Sequence, residues 1–138
     1  MKSKVKIIRE SSKLVDKTED TSLYEGKEKA IEYIEKNYPE TAKEFQRLQF
    51  EQYLLFCKKQ MDYGPTNISM GTPLKTDSEK RLSLVGLIVR INDKVQRLLN
   101  LMVRNNRDAQ NEPSIDAFKD LACYGIIAQI VQNGKWGK

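Results

Sequence analysis

The sequence predicts an all-α fold: a single-domain bundle of about four main helices, residues 23–138, preceded by a loosely held N-terminal arm, residues 1–22. Three observations lead there. Apolar residues recur at helical spacing in four segments, stretches rich in Pro, Gly and Asn separate those segments, and no period repeats along 138 residues, a length suited to one core.

In the arm, the short alternating piece "KVKIIRE" leads into "SSKLVDKTEDTS", a polar run with little to bury and room for no more than a short edge strand. From Tyr24 to Asn37, "YEGKEKAIEYIEKN" sets Ala30, Ile31 and Ile34 on one side and Lys and Glu on the other, an amphipathic helix ended by Asn37-Tyr38-Pro39. Pro39 suits the first turn of a second helix that runs unbroken to Met61 and is apolar on nearly every face from Phe50 to Cys57, as for a helix near the centre of a bundle.

Asp62-Tyr63-Gly64-Pro65 then turns the chain: Gly64 can take positive φ, Pro65 stiffens the residues after it, and Asp62 and Asn67 can bond backbone groups. The third helix opens at Thr76, which with Glu79 reads as a capping box, and Leu84, Leu87, Ile88, Ile91, Val95, Leu98 and Met102 follow helical spacing along it. After the polar "RNNRDAQNEP", Pro113 and Ser114 open a last helix that Asn133-Gly134 closes.

Composition limits the chemistry. The chain has no His, which excludes imidazole general-base catalysis and His-ligated zinc; any metal is expected to be a hard cation on carboxylates. Lys and Arg outnumber Asp and Glu 24 to 19, a balance of +5 that favours anionic partners yet is modest for a dedicated DNA binder. Cys57 and Cys123 lack metal-type spacing and read as reduced core residues. "MKSKVKIIRE" has no long apolar run after its basic start and no segment is long enough to span a bilayer, so a cytoplasmic protein without a membrane partner is expected.

Several constellations can carry function. Arg90, Asp93, Lys94 and Arg97 occur at i, i+3, i+4 and i+7, a charged stripe beside the apolar face; it suits phosphate oxygens, and equally a solvated face laced with ion pairs. Asp116 and Asp120 share a face of the last helix, which is almost wholly apolar beyond Asp120. A carboxylate there needs a partner, either Lys94 or Arg97 in an ion pair or a magnesium ion shared with Asp93 or Glu51. The second helix adds Glu44, Arg47 and Glu51 on one stripe. Tyr63 is an aromatic on a rigid turn, as base stacking uses, whereas the lone Trp136 is expected to pack back over the bundle.

Taken in order, "KKQMDYGPTNIS", "GLIVRINDKVQRLLNL" and "EPSIDAFKDLACYGIIAQI" resemble the nucleotide-modification-associated domain 1 family, an all-α group common in bacteriophages. Its pattern is an (F/D)-Y-G turn, an R-x-x-D-K-x-x-R-L helix and an (E/D)-S-I-x-D-x-x-x-D-L-A-x-Y helix, matched over about residues 50–136. Pro113 stands where the family has an acidic residue, and Phe118 replaces a small polar one. The chain is also distantly similar to MazG-like nucleotide pyrophosphohydrolases, which hold magnesium on acidic helices, although the matched residues 50–136 carry no E-x-x-E motif.

The resemblance implies a protein of phage nucleotide metabolism or DNA modification, working in the host cytoplasm if phage-encoded. It places Asp62, Tyr63, Gly64, Asn67, Arg90, Lys94, Arg97 and Tyr124 against a nucleotide or its phosphates, and Asp93, Asp116 and Asp120 on magnesium. Magnesium-dependent pyrophosphohydrolysis is one activity it allows. The alternatives are a non-catalytic nucleotide binder, such as a sponge for host signalling nucleotides or a regulator, and an accessory factor that binds DNA or protein. Helices this apolar also imply a homo-oligomer.

Overall fold

The computed structural model describes residues 26–138. The N-terminal arm, residues 1–22, and the start of the first expected helix lie outside the described residues. Within them the chain is all-α with no strand, and no helix is long and apolar enough to cross a membrane.

The chain divides into two compact units, residues 1–46 and 47–138. In the first, helix α1 (Lys27–Asn37) starts after Gly26, whose φ of 71° is a left-handed conformation open to glycine at little cost. The amphipathic pattern is present, yet none of its residues is buried: Ile31 and Ile34 of the expected inner face are exposed. Helix α2 (Pro39–Tyr63) begins in this unit, and Pro39 stands at its first position as expected.

The second unit contains the rest of α2, the short helix α3 (Thr66–Ser69), α4 (Asp77–Leu98) and α5 (Ser114–Gln132). The α2 helix stops at Gly64, whose φ of 63° turns the chain out of the helix while its N–H still bonds Gln60 O at 2.9 Å. The capping box at the start of α4 is formed in both directions: Glu79 N–H donates to Thr76 Oγ1 at 3.2 Å and Thr76 N–H to Glu79 Oε2 at 3.1 Å. Past Leu98 the helix widens into a π-helical turn, Leu99–Arg104, before the polar connection. The α5 helix closes in a Schellman arrangement, with Lys135 N–H on Ile130 O and Gly134 N–H on Val131 O, both at 3.0 Å, and Gly134 at φ 67°.

The core of this unit gathers Ile68, Leu74, Leu87, Ile127, Val131 and Trp136, with Phe56, Leu84 and Tyr124 packed around it. Full burial of one such aliphatic side chain contributes about 1.5–3 kcal/mol. The α4 helix packs chiefly on α5, and α3 on α4. Trp136 folds back onto this core as expected, edge-on to Phe56 at 6.2 Å between ring centroids.

Of the apolar residues at helical spacing along α4 and the turn after it, Leu87 and Leu98 are buried, whereas Ile88, Val95 and Met102 are exposed. Successive turns place them round a different flank of the helix. Leu82, Val85 and Val89 are exposed on the side of α4 away from the core.

Candidate functional site

A cavity of about 410 Å³ opens in the second unit. Each wall repeats the helical period. The α2 helix contributes Phe56, Lys59, Gln60 and Tyr63; α4 contributes Arg90 and Lys94; α5 contributes Asp120, Cys123, Tyr124 and Ile127. Asn67 and Ile68 of α3 complete the lining.

The α3 wall is pinned by side-chain donors. Arg90 Nη2 donates to Asn67 O at 3.0 Å, Ser83 Oγ to Ile68 O at 2.6 Å, and Trp136 Nε1 to Pro65 O at 2.9 Å. A segment of four helical residues has little cooperativity of its own, so these bonds set its position.

Asp120 bridges the other walls. Its Oδ1 lies 3.0 Å from Lys59 Nζ and its Oδ2 2.8 Å from Lys94 Nζ. Burial opposes ionisation of Asp120, but the hydrogen bonds and charges of Lys94 and Lys59 outweigh it and hold the carboxyl below its ordinary value. Lys94 is raised by its hydrogen bond to Asp120, against a smaller cost of burial. For Lys59 burial is the largest influence and acts downward, yet the bond and charge of Asp120 together leave the amine above its ordinary value. Burial likewise pushes the Cys123 thiol up, which keeps it protonated and a poor nucleophile.

Asn67 presents a different feature. Its Oδ1 is enclosed and has no hydrogen-bond partner among the described residues. Such an acceptor costs about 1–3 kcal/mol when left unmet.

Six of the residues singled out in the sequence line the cavity: Tyr63, Asn67, Arg90, Lys94, Asp120 and Tyr124. The others sit elsewhere. Asp62 is exposed on the last turn of α2, and Gly64 shapes the turn without lining the cavity. Arg97, one turn beyond Lys94, donates to the main-chain oxygens of Glu112 and Pro113 and so holds the start of α5. Asp93 is exposed on α4, and Asp116 faces Lys119 at 3.8 Å. Glu51, the other acid considered for a metal, pairs with Arg47 one turn away.

The donors therefore do not fit a magnesium ion. Among the described residues no group of three or more acids and cysteines is placed to hold a metal, and both oxygens of Asp120 already accept ammonium groups.

Phe56, Lys59, Gln60 and Cys123 were not foreseen. The signal was present in the period: counting back from Tyr63 by four and seven residues reaches Lys59 and Phe56, and counting on from Asp120 by three reaches Cys123. The chain matches no protein-family model, no curated protein and no solved structure.

Proposed function

We propose that the protein binds a nucleotide in this cavity. The observation that carries the reading is the pairing of cations with rings on one lining: Lys59, Lys94 and Arg90 for phosphate oxygens, Tyr63, Tyr124 and Phe56 for a base. The ordered turn and helix motifs that resemble the nucleotide-modification-associated domain support the same ligand class and a role in phage nucleotide metabolism or DNA modification, in the host cytoplasm.

Binding is favoured over turnover because the carboxylate in the cavity is engaged by two lysines rather than poised to hold an ion or activate water. A sponge or regulator needs no more than this.

A thermal-shift panel of nucleotides, with and without magnesium, tests the proposal. A rise in Tm with at least one nucleotide, lost in Lys94→Ala and Arg90→Ala, is the expected result. No shift with any nucleotide removes the proposal, and release of pyrophosphate or phosphate from the shifted complex replaces the binder with a hydrolase.

A further inference from the structure

Resting on the nucleotide reading, we infer that the cavity selects a phosphate monoester dianion, a nucleoside monophosphate, over the more highly charged di- and triphosphates. Charge is the first ground. The lining has three cations, Lys59, Lys94 and Arg90, and one anion, Asp120, which leaves a surplus of two positive charges. In a partly enclosed site a ligand binds best when its charge closes that surplus. A phosphate monoester carries about −1.5 to −2 at neutral pH. Added phosphates bring charge that no further cation of the lining meets, and a nucleoside brings none.

The donors for such a group are at hand. Lys59 and Lys94 each give one interaction to Asp120, but an ammonium has three N–H donors; Arg90 is tied to Asn67 O through Nη2, but a guanidinium has five. A phosphate entering here shares the lysines with Asp120 and leaves the ion pairs standing. The volume, about 410 Å³, lies near the lower end of small-molecule sites and suits one base, one sugar and one phosphate.

Calorimetry in EDTA at low salt, comparing nucleosides with their mono-, di- and triphosphates and with inorganic phosphate, tests the inference. The monophosphate is expected to bind about tenfold more tightly than the triphosphate of the same base, and the nucleoside to lose a similar factor. Lys59→Gln, at a half-exposed position, reduces the surplus to one and is expected to weaken the monophosphate about tenfold. Asp120→Asn raises the surplus to three and moves the preference toward the diphosphate. Triphosphate binding tighter than monophosphate overturns the charge match while leaving a nucleotide site, and so does inorganic phosphate binding as well as the monophosphate. Failure of every nucleotide, charged or not, overturns the nucleotide reading itself.

Discussion

Lys94 Nζ on α4 lies 2.8 Å from one oxygen of Asp120 on α5, and the other oxygen of that carboxylate accepts Lys59 from α2 at 3.0 Å. One acid therefore joins three helices at the cavity wall. Asp120 also lowers the repulsion between the two amines, which the proposed phosphate would share.

Asp120→Asn is expected to destabilise the fold by about 1–2 kcal/mol, because it leaves two ammonium groups facing each other with no anion. The figure stays below that of a fully buried pair since Lys59 is half-exposed and solvent screens it. The midpoint of urea unfolding measures it.

The pH dependence rests on the same group. The folded carboxyl titrates below its ordinary value of 3.8, so the stability it adds is fully present above that value. It is lost as pH falls through the lowered folded value. At the alkaline end, Lys59 and Lys94 are raised above 10.5, so their contribution is complete below that value and disappears as pH climbs through theirs. In Tm profiles, Asp120→Asn should flatten part of the acid limb relative to wild type; parallel acid limbs would contradict the assignment.

Trp136→Ala is expected to cost about 3–5 kcal/mol, since loss of a buried indole removes the ring packing on Phe56 and leaves a cavity behind. Trp136→Phe keeps most of that burial and removes the bond to Pro65 O, a loss of about 1 kcal/mol. The two variants compared by urea unfolding separate packing from hydrogen bonding.

Arg97→Ala separates the charged stripe into its parts. Its guanidinium holds the Glu112 and Pro113 carbonyls, so the expected loss is about 1 kcal/mol of stability. Nucleotide affinity should stay within about twofold of wild type, whereas Lys94→Ala abolishes it. Calorimetry on both variants checks the contrast.

Ser83→Ala removes the 2.6 Å bond to Ile68 O at a position almost fully buried. About 1–2 kcal/mol is the expected cost, read from chemical denaturation.

The four main helices, the capping box and the inward fold of Trp136 were legible because each arises from local chemistry: a period, a Thr three residues before a Glu, a lone aromatic among lysines. Asp120 was legible too, since a carboxylate beside an apolar helix face requires a counter-charge and Lys94 was one of those named for it. Arg97 was not separable from Lys94 by spacing, as both lie on one stripe. Only the path of the loop before Ser114 decides that Arg97 meets main-chain carbonyls instead of the cavity. Ile88 and Val95 keep the helical period of Leu87 and Leu98 yet are exposed, because how much of an apolar face is covered depends on where α5 lies.

The bond from Trp136 to Pro65 spans 71 residues. Close by, a methyl group added at Gly137 would meet Pro65 Cβ at 3.3 Å, so this late segment fits tightly against the turn that carries Asn67. During synthesis, all the helices lining the cavity leave the ribosome before the residue that locks their short connecting wall. Loss of the residues after Gln132 would remove one of the three side-chain bonds that hold α3 beside the cavity while leaving every helix whole.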